Sequence, residues 1–211
     1  MRATSSERQG LTVAFCAPSG SGKSFLARAV RDALPNTFNE EVVATTRRSR
    51  YGHAEPNRQC MSDSQFDQAV GDGSVVLPHR PFGDPSTPRY GFLAELLEPN
   101  RVTLTEVHAT LIRPFREIVT MRHLLIIGVT VPSEVLSANL GVRHQDNDDG
   151  VSAELRLDQA QAERDLIFEA AHMGIIDAIV PYAPENRSAS EALVADCVRG
   201  LIQRVGVDHG R

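Results

Sequence analysis

The sequence predicts an α/β domain built around a mostly parallel β-sheet, and two observations lead to this prediction. Short apolar runs of strand length alternate along the chain with segments whose apolar residues recur at helical spacing, the pattern of repeated βαβ units. Several runs, Leu11–Cys16 among them, lack alternation of apolar and polar residues, as strands buried on both faces of a parallel sheet do. With 211 residues, the chain is long enough for one ordinary domain with small insertions.

Six runs are rich in apolar or β-branched residues and have the length of ordinary strands. They are Leu11–Cys16, Glu41–Thr45, Ser74–Leu77, Arg101–Val107, His123–Val131 and Asp177–Pro181. Two stretches between the predicted elements have a different composition. Residues 78–91 are rich in Pro and Gly and predict an exposed loop, whereas residues 143–151 are polar and acidic and predict a mobile flap.

Helical patterns follow most of these runs. Leu26, Val30 and Ala33 recur at helical spacing after the first run, and Pro35 ends that pattern. The remaining helices are predicted from their first residues, because Ser caps helix N-termini and Gln or Glu three residues later completes a capping box. The predicted starts are Ser62 with Gln65, Ser133 (through Leu140, with Gly141 as the stop), Ser152 (to about His172) and Ser188 with Glu191.

Composition and charge restrict the classes of function. The 22 basic and 27 acidic residues give a net charge of −5, so neither nucleic acid nor an anionic membrane surface is expected as a partner. The longest apolar run has strand length, whereas a membrane span needs about 20 residues. Cys16, Cys60 and Cys197 are scattered without metal-binding spacing, and we expect reduced thiols in a cytoplasmic protein. Any bound phosphate must therefore be held by a local group of donors.

The strongest signal is the segment Ala17–Ser24, which we call the phosphate loop. Its sequence, APSGSGKS, fits the pattern A/G-x-x-x-x-G-K-S/T and lies between an apolar strand and an amphipathic helix. In such a loop, glycines let backbone amides turn toward an anion, and the N-terminus of the following helix adds its positive end. Lys23 is expected to reach the β- and γ-phosphates of a nucleotide, and the Ser24 hydroxyl to ligate Mg²⁺. The residues expected to bind the nucleotide are Ala17, Pro18, Ser19, Gly20, Ser21, Gly22, Lys23, Ser24 and Phe25.

From the phosphate loop onward, the chain resembles the guanylate kinase family over nearly its whole length. The segment Thr45–Gly52 (TTRRSRYG) is similar to the family's Thr-Thr-Arg-x-x-Arg-x-Gly segment, and Tyr90 with Gly91 matches its Tyr-Gly pair. Leu104–Ala109 lies where the family has an acidic residue at the end of a strand. The resemblance implies an ATP-dependent kinase that uses Mg²⁺ and a phosphorylated small-molecule acceptor, as a monomer or homodimer.

The resemblance also implies which residues hold the acceptor. Arg47 and Arg50 would hold its phosphate, and Tyr90 would contact the same group. Glu106 would be the carboxylate that holds Mg²⁺ through water or orients the acceptor. Arginine suits phosphate because its planar guanidinium binds two oxygens at once and stays charged.

Three residues form the catalytic set that the resemblance implies. Lys23 belongs to the phosphate loop, and Arg143 and Arg156 fall where two lid arginines of the family clasp the transferred phosphate. Phosphoryl transfer needs mainly positive charge around the moving group and in-line positioning, which these side chains would supply.

The resemblance implies a three-layer phosphate-loop fold with a mostly parallel five-stranded sheet, all in one domain over residues 1–211. The core would comprise residues 10–40, 100–140 and 152–207. A small inserted subdomain, residues 41–99, would bind the acceptor, and residues 141–152 would form a mobile lid.

The chain departs from the family where the family recognises guanine. Val43 stands in place of a serine, Leu77 falls on or near the position of the base-reading glutamate, and Phe92 replaces a hydroxyl residue. A phosphate-binding tyrosine of the family falls near Arg58 or Gln59. Because an apolar pocket discriminates poorly between base edges, we expect a nucleoside monophosphate bound with non-standard base recognition, rather than GMP.

Two alternatives remain open at this point. One is a ribose 1,5-bisphosphate kinase, a branch that has the same loop and lid and also lacks the guanine-reading residues. The other is a non-catalytic guanylate-kinase-like binding module, which typically loses the phosphate loop that is intact here. Residues 78–92 are expected to face the acceptor and to decide between the first two readings.

Overall fold

The computed structural model describes residues 10–39, 43–48, 58–81, 83–98, 101–120, 123–146, 152–182, 185 and 187–205. For residues 141–146, 153 and 205 the backbone alone is described. The elements in chain order are β1 (Leu11–Cys16), α1 (Lys23–Ala33), β2 (Val43–Thr45), β3 (Arg58–Cys60), α2 (Asp63–Gly71), β4 (Val75–His79), β5 (Tyr90–Leu93), β6 (Val102–Val107), α3 (Ile112–Ile118), β7 (His123–Thr130), α4 (Ser133–Asp146), α5 (Ala153–His172), β8 (Ala178–Pro181) and α6 (Arg187–Val205).

The central sheet has the strand order β6–β1–β7–β8, and every pair in it is parallel. All six residues of β1 are buried, which explains why its sequence lacks polar alternation. The α/β prediction is therefore confirmed. The predicted fifth strand is not present among the described residues, where Asn39 forms a single parallel bridge to Thr103 of β6.

Helices cover both faces of the central sheet, as a three-layer fold requires. On one face, Val13 and Phe15 pack with residues of α1 and α6. On the other face, Ala14 and Cys16 pack with residues of α3 and α5. Because β1 and β6 run parallel, their carboxyl ends meet at one edge, and the phosphate loop begins there.

A second, smaller sheet has the strand order β3–β2–β5–β4. β2 pairs in parallel with β3 and antiparallel with β5, and β4 pairs antiparallel with β5. The sequence did not predict β3 or β5, and the loop predicted over residues 78–91 was wrong at both ends. Pro78 and His79 belong to β4, where Pro is tolerated because β4 is an edge strand, and Tyr90 begins β5.

The predicted helix starts are confirmed in part. Ser62 and Gln65 form the capping box of α2, and Ser152 caps α5 by accepting a hydrogen bond from Leu155. The stop predicted at Gly141 is wrong, because α4 continues to Asp146, past the start of the predicted lid. The cap predicted at Ser188 is also wrong, because α6 already begins at Arg187. No helix in the described ranges combines the length and apolar character needed to cross a bilayer.

Candidate functional site

The backbone of the phosphate loop requires glycine at two positions. Gly20 and Gly22 both have φ of +84°, a conformation that residues with a side chain rarely adopt. A Cβ on Gly22 would lie 3.2 Å from Cε1 of Tyr182, and one on Gly20 would lie 2.9 Å from Cδ2 of Leu140. The loop is therefore closed against α4 and the end of β8 at positions where only a bare backbone fits.

The loop also presents free backbone donors. Ser21 donates to the carbonyl of Pro18 over 3.1 Å, which closes the turn. In the described structure, no acceptor is recorded for the backbone amides of Gly20, Gly22, Lys23 and Ser24. These four amides surround the N-terminus of α1, where unpaired donors and the helix dipole favour an anion.

Lys23 is the only lysine of the chain, and it lies inside the phosphate loop. Its ammonium group donates to the carbonyl oxygens of Ala17 over 2.7 Å and of Pro18 over 3.2 Å. These contacts hold the ammonium group against the first two residues of the loop. A phosphate bound by the loop amides would lie within reach of this charge.

Ser24 and Glu106 place two side-chain oxygens beside the loop. The Ser24 hydroxyl donates to Oε1 of Glu106 over 3.0 Å. A hydroxyl and a carboxylate fit Mg²⁺, which commonly takes one or two protein ligands and completes its shell with water and substrate phosphates. Within the described ranges there is no group of three His, Cys, Asp or Glu side chains that could hold a metal ion by themselves.

A buried carboxylate lies on the other side of the loop. Oε2 of Glu163 accepts a hydrogen bond from the backbone amide of Ser19 over 2.7 Å, and Oε1 lies 2.8 Å from Nε2 of His108. Burial raises the pKa of Glu163, but the hydrogen bond from His108 and the charge of Lys23 outweigh it, so the net pKa lies below its usual value. Glu163 therefore stays ionised.

The phosphate loop opens into a cavity of about 240 Å³. Residues from both sheets line this cavity: Ser19, Gly20, Ser21, Gly22, Lys23, Ser24, Ala27, Arg31, Val43, Arg58, His79, Pro81, Tyr90, Phe92, Leu104, Thr105, Glu106, Val107, His108, Arg156 and Glu163. The central sheet and α1 supply the donor side, and the second sheet supplies the opposite wall. One cavity therefore joins an anion-binding loop to a space for a second molecule.

Most of the nucleotide-binding residues predicted from sequence lie together. Ser19 to Ser24 line the cavity, while Ala17 and Pro18 are buried beneath the loop. Phe25 is 46% exposed and lies outside the cavity lining, with the guanidinium of Arg187 4.3 Å from its ring centre.

The predicted catalytic and acceptor residues do not all lie at the cavity. Tyr90, Glu106 and Arg156 line the cavity. Arg47 is buried directly after β2 and does not line it. Arg50 lies outside the described residues, and Arg143 lies in α4, where its side chain is not described.

The wall opposite the loop is partly apolar, as the sequence indicated at Val43 and Phe92. Leu77 does not line the cavity, because a β-bulge between Val76 and His79 changes the direction of the strand there. Leu77 has φ of +49°, unusual for a residue with a side chain, and His79 faces the cavity instead.

Two residues of the wall are aromatic neighbours. The ring centres of His79 and Tyr90 lie 6.0 Å apart, and the guanidinium of Arg58 lies 5.8 Å from the Tyr90 ring centre. Nδ1 of His79 lies 3.2 Å from the carbonyl of Leu77, so Nδ1 carries the proton that it donates there. Burial lowers the pKa of His79 to about 4, and the imidazole is neutral near pH 7.

Four residues of the site were not predicted from the sequence: Glu163, His79, His108 and Arg31. One signal was available for Glu163, since it follows Arg156 by seven residues and so falls on the same helical face. No comparable local pattern points to His79, because the bulge that turns it into the cavity is a tertiary feature.

Several relatives of this chain are guanylate kinases. No family model matches the chain. The guanylate kinase of Jannaschia sp. (strain CCS1) is 28% identical over 151 residues, which are 71% of this chain and 69% of that protein. The guanylate kinase of Idiomarina loihiensis is 29% identical over 179 residues, 82% of each chain.

A solved structure shows the same fold. The guanylate kinase from Anaplasma phagocytophilum superposes with a TM-score of 0.58 over 92% of this chain and 86% of that chain, at 18% identity. Together with the two sequence relatives, it confirms the resemblance and the phosphate-loop kinase fold.

Proposed function

We propose, from the premise that this chain is a phosphotransferase related to the guanylate kinases, that it moves the γ-phosphate of ATP to a nucleoside monophosphate bound with non-standard base recognition. The observation that carries the proposal is the single cavity that joins the phosphate loop to the second sheet. A donor nucleotide held at the loop would present its terminal phosphate to an acceptor held against the opposite wall.

The donor side supplies the positive charge that phosphoryl transfer requires. The loop amides would hold the β- and γ-phosphates, and the ammonium of Lys23 would balance charge on the moving group. Arg156 is 4% exposed and lines the same cavity, so its guanidinium adds a fixed positive charge there. Ser24 and Glu106 would hold Mg²⁺, which would supply further charge neutralisation.

The residues on the wall opposite the loop favour recognition of a base other than guanine. Val43 and Phe92 offer apolar surface to a base and cannot pair with the polar edge of guanine. Neutral His79 offers one hydrogen-bond acceptor, Nε2, on the same wall. Tyr90, with Arg58 beside it, would contact the acceptor phosphate.

The test is an ADP-release assay with ATP and Mg²⁺ over a panel of nucleoside monophosphates and ribose 1,5-bisphosphate. Lys23→Ala should lower kcat by at least about a hundredfold, because the variant lacks the positive charge that would balance the transferred group. Arg28→Ala is the matched control, since Arg28 is an exposed cation on the same helix. ADP release that persists unchanged in Lys23→Ala would refute the role of Lys23 on which the kinase proposal depends. An unmodified chain that releases no ADP with any acceptor of the panel would favour the binding module.

The same residue allows a direct test of ATP binding. Because Lys23 is the only lysine, an amine-reactive reagent has one side-chain target in the chain. ATP with Mg²⁺ should protect Lys23 from modification, as measured by peptide mass spectrometry. Equal labelling with and without saturating ATP would place the nucleotide elsewhere.

One observation favours ribose 1,5-bisphosphate as a second candidate acceptor. Arg31 and Arg58 line the cavity in addition to the loop cation and Arg156, and Arg31 uses Nη2 to reach the carbonyl of Leu104 over 3.2 Å. These guanidinium groups could hold the second phosphate of a bisphosphorylated sugar. Arg31→Gln should then lower kcat/KM for the bisphosphate about tenfold or more and leave nucleoside monophosphates nearly unaffected.

A further inference from the structure

We propose that Glu163 is a positioning residue that sets the phosphate loop and the Arg156 guanidinium in one fixed arrangement, with His108 holding Glu163 in place. The inference goes beyond the proposed function but rests on it, because it concerns how the donor nucleotide is held. The contacts that carry it lie among fully described side chains.

A charged side chain of α5 binds the phosphate loop. The backbone amide of Ser19 donates to Oε2 of Glu163 over 2.7 Å, across 144 residues of sequence. Glu163 is 2% exposed, so water does not compete for this hydrogen bond. The Ser19 amide is thereby removed from the set that could bind phosphate, while the later amides of the loop stay available.

The carboxylate of Glu163 is itself held by hydrogen bonds. Oε1 of Glu163 lies 2.8 Å from Nε2 of His108 and 3.3 Å from Nε2 of Gln159. On the other edge of the His108 ring, the amide of Thr110 donates to Nδ1, so Nε2 carries the proton and donates to Glu163. Three donors therefore fix both oxygens of the carboxylate.

Glu163 lies on the same helix as Arg156, the arginine proposed to contact the transferred phosphate. Glu163 follows Arg156 by seven residues on α5, two helical turns that place both on one face of the helix. Both side chains are buried and both line the cavity. A shift of α5 relative to the loop would therefore move Arg156 away from the γ-phosphate, and the hydrogen bond to Ser19 opposes that shift.

The chemistry of Glu163 favours a positioning role over packing alone. A buried carboxylate is costly unless it is fully hydrogen-bonded, and an apolar residue would fill the same space without that cost. The positive charge of Lys23 helps to lower the pKa of Glu163, so the carboxylate and the loop cation interact. Lys23 holds the carbonyls at the start of the loop, while Glu163 holds an amide two residues later.

The experiment measures the Kd for ATP with Mg²⁺ by calorimetry, and kcat and both KM values by ADP release. Glu163→Ala should weaken ATP binding about tenfold and lower kcat by about a hundredfold, with the acceptor KM changed by less than about threefold, since misplacing a catalytic group by 1 Å has effects of this order. The exposed Glu169 on the same helix provides the control Glu169→Gln.

A second pair of variants keeps the inference testable if Glu163→Ala fails to fold. His108→Leu removes the donor to Glu163, whereas His108→Gln replaces it with an amide N–H. His108→Leu should lower kcat, and His108→Gln should restore most of the loss. ATP affinity and kcat within about twofold of the unmodified chain in Glu163→Ala would overturn the inference, as would the same result in His108→Leu where Glu163→Ala does not fold. Equal losses in the two KM values would also overturn it. An unmodified chain that does not bind ATP would instead refute the proposed function.

Discussion

The Ser24 hydroxyl and the Glu106 carboxylate meet at the mouth of the phosphate loop, 3.0 Å apart, although 82 residues separate them in sequence. Ser24 lies in the first turn of α1, and Glu106 lies near the end of β6, where it pairs in register with Phe15 of β1. The parallel pairing of β1 and β6 is therefore what brings a carboxylate to the loop. This contact joins the two ligands expected for Mg²⁺.

We predict that Glu106→Gln raises the Mg²⁺ concentration needed for half-maximal activity by about tenfold, because a neutral amide would hold a divalent cation more weakly than the carboxylate does. Ser24→Ala should act in the same direction. The measurement is ADP release over a Mg²⁺ titration at fixed ATP. Glu117→Gln, an exposed carboxylate on α3, is the control, and a Mg²⁺ curve unchanged in Glu106→Gln would remove Glu106 from the site.

A second prediction concerns the arginines after β2. Arg50→Ala should weaken acceptor binding by roughly 1.5–3 kcal/mol, the value of a hydrogen bond to a charged group, with the KM for ATP unchanged. The adjacent Arg48 is exposed, and Arg48→Ala is the matched control. An acceptor KM equal to that of the unmodified chain would show that Arg50 does not hold the acceptor phosphate.

Arg47 requires a separate measurement. Because its side chain is 8% exposed, Arg47→Ala should lower the melting temperature as well as acceptor affinity. Acceptor titrations at a temperature where the variant is fully folded distinguish the two effects.

The parts of the molecule that follow local rules were predictable from sequence. The phosphate loop depends on glycines, a lysine and its flanking strand and helix, all within 23 residues, and the capping box of α2 depends on Ser62 and Gln65 alone. Such features are fixed by neighbours in the chain, so a pattern of residue types is enough to predict them.

The parts that depend on tertiary contacts were not predictable in the same way. The sequence predicted a base-reading position on or near Leu77, but the β-bulge turns Leu77 out of the cavity and brings His79 in. No local sequence pattern predicts this change in the direction of the side chains, because the change arises from how β4 pairs with β5. Likewise, Glu163 meets Ser19 because α5 packs on the face of the central sheet that contains Ala14 and Cys16 of β1.

A third prediction concerns the thiols. Burial raises the pKa of Cys16 to about 12, despite an opposing effect of Lys23, and also raises the pKa of Cys197. At pH 8, Cys16 should therefore resist iodoacetamide, whereas the exposed Cys60 should react, as followed by peptide mass spectrometry. Cys60→Ser should remove most of the native labelling. Labelling of Cys16 at the rate of Cys60 without denaturant would contradict the buried position beside the loop.

The last prediction is a pH dependence of stability that originates at His79. Its pKa falls from an ordinary value of 6.5 to about 4 in the folded chain because of burial, with a smaller effect from His108. Above pH 6.5 the imidazole is neutral in both states and contributes no pH dependence. Between pH 6.5 and about 4 the unfolded chain binds a proton that the folded chain does not, so stability falls as the pH falls.

The size of this effect follows from the shift, since each pKa unit corresponds to about 1.4 kcal/mol, which gives an upper value of about 3 kcal/mol at pH 4. His79→Gln should remove it, so the variant should lose less stability than the unmodified chain between pH 7 and pH 4 in urea unfolding. His172→Gln is the control, because His172 is exposed at the end of α5, and its pH profile should follow that of the unmodified chain. Parallel profiles for His79→Gln and the unmodified chain would show that His79 is not buried against the cavity wall.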